Sequence, residues 1–125
     1  MGKNHSPKFL ATVEHSRKVI NECDIDQFSV MLNDGNQLIV IDVREQHEFD
    51  AGCFEGALHL GKGVIERDIE KHPISEGDRI VLYCGGGFRS ALAAESLARM
   101  GYANVYSLWG GWRSLVAAGL ATQNQ

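Results

Sequence analysis

The sequence has no long apolar run and contains only two prolines. No window approaches the roughly 20 consecutive apolar residues that a helix needs to cross a bilayer. The first residues, MGKNHSPKFLATVEHSRKV, carry charges where a signal peptide has its apolar segment. A hydrophobic content of 44% also separates the chain from disordered sequences. At 125 residues we expect one folded domain in the cytoplasm, with no membrane partner.

Runs of basic residues and clusters of metal ligands are also missing. The formal net charge is −4, and lysines and arginines are dispersed, so nucleic acid is not an expected partner. The three cysteines, Cys23, Cys53 and Cys84, form no CxxC pair, which argues against a disulfide framework and against a thiolate zinc site. The histidines lack the spacing that places two imidazoles on one helix face. We predict neither a metal nor a cofactor.

The chain does contain alternating strand and helix patterns. QLIVIDVRE, DRIVLYC and NVYSL are apolar runs rich in β-branched residues, typical of strands that are covered on both faces. Between them lie a helical turn at EQHEFDAG, a short extended piece at ALHL and a helix at GVIERDIEKH. This order predicts an α/β fold with a mostly parallel sheet and helices on both faces.

Four further helices complete the prediction. The spacing of apolar residues predicts an amphipathic helix from residue 8 to about 20, and Asp24 is placed to cap the helix DIDQFSVMLNDG. A helix begins at Phe88 and ends at Gly101, and a last one ends near Gly119. We divide the chain into an N-terminal helical extension (1–20), a main domain (21–120) and a C-terminal tail (121–125).

The segment CGGGFRS places a thiol between a strand and a helix. Ligands in open α/β sheets gather at the carboxyl ends of strands, where Cys84 lies. Glycines at 85–87 allow successive backbone N–H groups to turn inward, and a helix N-terminus beside Arg89 favours an anion. Cys84 is therefore a candidate nucleophile that needs no histidine partner. The alternative is an inert buried cysteine. A phosphate-binding loop is a further alternative, but CGGGFRS lacks the GxxxxGK[ST] pattern of such loops.

Two segments resemble the single-domain rhodanese-like sulfurtransferase family in order and spacing. They are IDVREQHEFDAGCFEGALHL (residues 41–60) and VLYCGGGFRSALAAESLARMGYANVYSLWGGW (81–112). The resemblance covers roughly residues 20 to 120, and the combination of motifs is specific although each alone is weak. It implies a rhodanese-like three-layer fold, with a central five-stranded parallel sheet flanked by helices.

The resemblance also implies a reaction. Cys84 would attack the sulfane sulfur of a small anionic donor such as thiosulfate, carry it as a persulfide, and pass it to cyanide or to a thiol or protein acceptor. Arg89 would support the anions electrostatically or turn away to pair with Glu48 or Asp42. The substrate-binding loop residues would be Gly85, Gly86, Gly87, Phe88 and Ser90, whose surroundings stabilise both the thiolate and the persulfide.

Two other functions share this architecture. Cell-cycle dual-specificity phosphatases resemble rhodaneses in fold, but their loop has five residues between cysteine and arginine, whereas here there are four and Ser90 occupies the phosphatase arginine position. A shorter loop fits one sulfur better than a tetrahedral phosphate. Rhodanese-like interaction modules typically lack the loop cysteine, which is present here. A sulfur-relay role is compatible with the same residues.

Supporting residues follow from the same resemblance. Asp42 and Arg44 end a buried strand, and we expect them to stabilise the site through hydrogen bonds to the loop backbone. The alternative is an ion pair exposed to solvent at the end of the strand. Trp109 and Trp112 are expected in the core or at the pocket rim. Cys53 departs from the histidine that the family commonly has there. Packing is the favoured role for Cys53, and a resolving cysteine is the alternative.

Overall fold

The computed structural model describes residues 5–123 and has a central parallel sheet. Its elements are α1 (Pro7–Arg17), β1 (Asn21–Cys23), α2 (Ile25–Asn33), β2 (Ile39–Asp42), α3 (Gln46–Ala51), β3 (Gly52–Phe54), β4 (Leu58–His59), α4 (Ile65–Asp68) with a 3-10 turn (Ile69–Lys71), β5 (Ile80–Tyr83), α5 (Phe88–Arg99), β6 (Val105–Leu108), α6 (Gly111–Ala117) and β7 (Ala121–Gln123). Five strands lie parallel in the order β1-β6-β5-β2-β4, and β3 pairs with β7 in an antiparallel ribbon.

The sheet is buried on both faces, which explains its uninterrupted apolar strands. Along β5, Ile80 and Leu82 pack into a core cluster that includes Leu97 of α5. The alternate residues Val81 and Tyr83 pack into a second cluster on the opposite face. Successive side chains of a strand point to opposite faces, so a strand covered on both sides shows no polar alternation. The predicted three-layer fold is confirmed.

Local signals placed α2 correctly. The Asp24 carboxylate accepts a hydrogen bond from the Gln27 amide at 2.8 Å, and the Asp24 amide donates to the Gln27 side chain at 2.8 Å. This reciprocal capping box satisfies N–H groups that the first helical turn leaves without partners. The expected cap at Asp24 is confirmed.

Three short strands had no signal in the sequence. β1, β3 and β7 have three residues each, and none of them shows a long apolar run. A strand this short is defined by its partner, and β3 and β7 pair although they lie in the middle and at the end of the chain. The segment predicted as one helix at GVIERDIEKH is a four-residue α-helix followed by the 3-10 turn.

The N-terminal helix α1 packs against α5. Val13 and Ser16 of α1 are buried, and the Ser16 hydroxyl donates to the Glu95 carboxylate at 2.6 Å. The helix ends at Arg17, slightly before the end predicted near residue 20. No helix within residues 5–123 is long and apolar enough to cross a membrane.

Candidate active site

Cys84 lies directly after β5, at the carboxyl edge of the sheet, and α5 begins four residues later. Its side chain is only 1% exposed. The sulfur accepts hydrogen bonds from the backbone N–H groups of Gly87 at 3.1 Å and Ser90 at 3.4 Å. Amide dipoles aimed at the sulfur favour a negative charge there. The neighbours of this buried thiol are therefore polar groups as well as hydrocarbon.

The backbone carbonyls of the same loop are hydrogen-bonded to amides at the start of α6. The backbone carbonyls of residues 84–86 accept hydrogen bonds from the amides of Trp112 (2.7 Å), Arg113 (3.2 Å) and Gly110 (3.0 Å), respectively. With its carbonyls bound on that side, the loop can present N–H groups to the sulfur. Sequence reasoning placed Trp109 and Trp112 in the core or at the pocket rim and missed this contact, for which the paired glycines between them were the available signal.

Two buried hydroxyl groups extend the surroundings of the sulfur. The Ser90 hydroxyl lies 3.5 Å from the Cys84 sulfur and 2.8 Å from the hydroxyl of Ser107 in β6. Both serines have no exposed surface. A hydroxyl can rotate to donate to a thiolate, and a second hydroxyl restricts which way the first one points. Ser107 is thus placed to orient Ser90, although no sequence pattern marked it.

Replacing Ser107 by alanine is expected to slow several-fold the sulfur uptake that the sequence resemblance implies for Cys84, because Ser90 loses the partner that orients its hydroxyl. The measurement is the single-turnover rate of sulfur uptake in Ser107→Ala, Ser90→Ala and the double variant. If Ser107 acts through Ser90, the double variant loses no more than Ser90→Ala alone. Losses that simply multiply would contradict this role.

Arg89 pairs with Glu48 of α3. Its guanidinium nitrogens lie 3.0 and 3.3 Å from the two carboxylate oxygens, and both side chains are about 30% exposed. Burial acts to raise the pKa of Glu48, but hydrogen bonds from Arg89 and from the Glu45 backbone outweigh it and lower the pKa to about 2. Of the orientations left open by the sequence, the structure shows the one in which Arg89 binds Glu48.

This ion pair predicts a pH dependence of stability. A carboxylate with a lowered folded-state pKa stabilises the fold fully above its ordinary pKa of 4.5, and the contribution is lost as the pH falls toward about 2. We expect Glu48→Gln to cost about 1 kcal/mol at pH 7 and less at pH 3. Urea unfolding of both proteins at the two pH values measures this, and a cost that stays constant would refute it.

Asp42 and Arg44 form a buried pair beneath this region. Arg44 donates to the Asp42 carboxylate at 2.8 Å and to the Gly52 carbonyl at 2.7 Å. Its guanidinium carbon lies 4.4 Å from the centre of the Trp112 ring. The pair is buried, so it is not the solvated strand-end pair that was the alternative. Arg44 connects it to Trp112, whose amide binds the Cys84 carbonyl. Arg44 thereby joins the pair to the backbone of β3, whereas the loop backbone was the expected partner.

A cavity of about 690 Å³ opens above Cys84. Of the residues singled out from the sequence, Cys84, Gly85, Gly86, Phe88, Arg89, Trp109 and Trp112 line it. Sequence reasoning missed the lining residues His5, Phe9, His47 and Arg113. These four are contributed by segments far apart in the chain, so no local pattern marks them.

The other two cysteines lie elsewhere. Cys23 is buried in β1, where desolvation and the neighbouring carboxylates raise its pKa to about 12. Cys53 lies in β3, outside the lining of the cavity, and burial followed by the charge of Asp42 raises its pKa. Both environments favour the neutral thiol, which is a poor nucleophile.

Comparisons with known proteins agree with this geometry. A family model described as the rhodanese-like domain matches residues 24–118. A protein named sulfurtransferase from Allochromatium vinosum is 32% identical over 93 residues, which cover 74% of this chain and 85% of that protein. A tRNA uridine(34) hydroxylase from Bacillus cereus is 40% identical over 80 residues, 58% of this chain but 24% of the hydroxylase.

Solved structures share the fold. The polysulfide-sulfur transferase homodimer from Wolinella succinogenes superposes with a TM-score of 0.79 at 23% identity, covering 94% of this chain and 88% of that one. Other curated relatives are longer: the chain spans 55% and 60% of the length of two of them, from Bacillus subtilis and Schizosaccharomyces pombe. The fold and the family are shared, while the relatives differ in the reactions that their names state.

Proposed function

We propose that this chain, which belongs to the rhodanese-like family, transfers a sulfane sulfur from a small anionic donor such as thiosulfate to cyanide or to a thiol or protein acceptor. Relatives named sulfurtransferase support this class of enzyme. The observation that carries the proposal is the sulfur of Cys84, which accepts two backbone N–H bonds inside a loop whose carbonyls are bound on the opposite side.

In the first step the Cys84 thiolate attacks the outer sulfur of thiosulfate. A bond forms between the two sulfurs, the original sulfur–sulfur bond of thiosulfate breaks, and sulfite leaves with that electron pair. Cys84 then carries a persulfide whose terminal sulfur is anionic. The negative charge moves outward by one atom during this step, and N–H groups at the loop stabilise it in both positions.

In the second step the acceptor attacks the terminal sulfur. With cyanide, a carbon–sulfur bond forms, the persulfide bond breaks, thiocyanate leaves, and the Cys84 thiolate is regenerated. With a thiol acceptor, the sulfur leaves as the acceptor's persulfide. No electrons are gained or lost overall, so the cycle requires no cofactor.

Arg89 supports the electrostatics of this cycle at a distance. Its guanidinium lines the cavity while it binds Glu48, so part of its charge is already neutralised. Its position disfavours the phosphatase alternative, because a phosphate would need a cation directed into the loop. The position of the phosphatase arginine is instead taken by Ser90, which is buried against the Cys84 sulfur. A sulfur-relay role differs from the proposed enzyme only in the identity of the acceptor.

Intact-protein mass spectrometry tests the proposal. After incubation with thiosulfate, the protein should gain one sulfur atom, map it to Cys84, and lose it when cyanide is added. A p-nitrophenyl phosphate assay on the same sample tests the phosphatase alternative. Absence of sulfur loading would overturn the proposed function, and the interaction-module alternative would then gain support.

A further inference from the structure

The mouth of the cavity has an aromatic wall to which the N-terminal helix contributes. The rings of Phe9 and Phe88 lie 6.2 Å apart, those of Phe88 and Trp109 lie 5.8 Å apart, and His5 lies about 5 Å from both phenylalanines. His5 and Phe9 precede residues 24–118, which match the family model. This wall is therefore partly built from residues outside the segment that matches the family model.

The helix that carries Phe9 is fixed in place. Val13 is buried against the domain, and the Ser16 hydroxyl donates to Glu95. At the end of the helix, Arg17 stacks over the Trp109 ring at 3.7 Å and also binds Glu22 at 2.9 Å. Because α1 is bound along its length, Phe9 is a fixed part of the cavity wall.

The size of the cavity exceeds what the inorganic substrates need. Cyanide and thiosulfate have only two and five non-hydrogen atoms, whereas a cavity of about 690 Å³ falls in the range of roughly 300–1,000 Å³ typical of organic ligands. Trp109 lines this cavity and is still 38% exposed, so Arg17 and Phe88 leave part of its surface open to water. Covering that surface with an apolar ligand releases water and favours binding.

We propose that the sulfur acceptor is an organic thiol with a planar apolar body, and that Phe9 positions that body against Phe88 and Trp109. This inference rests on the sulfur transfer proposed above. Phe9 is a positioning residue, since it contacts the body of the acceptor while the reacting atoms lie at Cys84.

A binding experiment tests this without any chemistry. In the Cys84→Ser protein, NMR titration should show that 4-mercaptobenzoate binds more tightly than 3-mercaptopropionate, which has the same two functional groups and no ring. Adding Phe9→Ala should weaken binding of the aromatic probe about five- to tenfold and that of the aliphatic probe less than about twofold. Leu10→Ala is the matched control, because Leu10 is 41% exposed on the same helix and does not line the cavity.

Turnover supplies the second readout. In the protein with Cys84 intact, Phe9→Ala should lower the ratio of kcat/KM for 4-mercaptobenzoate to kcat/KM for cyanide by about five- to tenfold, and Phe9→Tyr should restore it. A purely structural role for Phe9 would lower both values equally and leave the ratio unchanged, which would overturn the inference, as would equal binding of the two probes. If thiosulfate fails to load Cys84, the proposed function fails, while ring-dependent binding to Cys84→Ser would still support the aromatic site.

Discussion

Replacing Cys84 by serine is expected to abolish sulfur loading from thiosulfate, with a loss of at least about a thousandfold. A serine hydroxyl stays protonated at neutral pH, so the amides of Gly87 and Ser90 would surround a neutral oxygen in place of an anionic sulfur. The two side chains are similar in size, so the fold should persist. Thiocyanate production and the mass of the intact protein measure the loss, and thermal unfolding checks the fold.

Cys53→Ser provides the matched control for this experiment. Cys53 lies in β3 outside the cavity, and burial together with the charge of Asp42 raises its pKa. We expect this variant to load sulfur at the wild-type rate. Wild-type activity in Cys84→Ser would rule out Cys84 as the carrier, and comparable losses in both variants would indicate that Cys53 takes part in loading.

Replacing Gly111 by alanine is expected to displace the cysteine loop. Gly111 has a φ of +50°, and a Cβ added there would collide with the Cys84 carbonyl oxygen and approach the Gly85 carbonyl carbon to 2.9 Å. Both partners are backbone atoms, which cannot rotate away. The Cys84 carbonyl is the group that accepts from Trp112, so the collision breaks the contact that holds the loop from behind.

The expected cost of Gly111→Ala has two parts. The left-handed backbone costs about 1–2 kcal/mol for a residue with a side chain, and overpacking adds about 1–3 kcal/mol. Sulfur loading should fall at least about tenfold even well below the melting temperature, because displaced amides no longer face the sulfur. Urea unfolding and the single-turnover rate of loading provide the two measurements.

Gly119→Ala is the control that introduces backbone strain without a steric collision. Gly119 has a φ of +73°, and no atom lies within 4 Å of an added Cβ. This variant should lose about 1–2 kcal/mol of stability and retain its rate of sulfur loading. If Gly111→Ala behaves in the same way, the contact between α6 and the cysteine loop does not control the geometry of the site.

Much of the fold was readable because its signals are local. Unbroken apolar runs identified β2, β5 and β6, and Asp24 and Gly101 marked helix ends where the structure has them. The short strands β1, β3 and β7 were missed because three-residue segments gain their hydrogen bonds only from distant partners. The length of helix α4 was overestimated because the apolar residues that predicted a longer helix also suit the 3-10 turn that follows it.

The sequence alone determined that a cysteine follows a buried strand and precedes a helix through three glycines. The order of these residues along the chain is covalent, so tertiary packing cannot alter it. Tertiary structure decided what surrounds the sulfur: Glu48 reaches Arg89 across 41 positions, Ser107 reaches Ser90 across 17, and α1 brings Phe9 to the cavity. These contacts join segments that meet only when helices pack on the sheet, and side-chain direction there depends on neighbours that a local pattern does not encode.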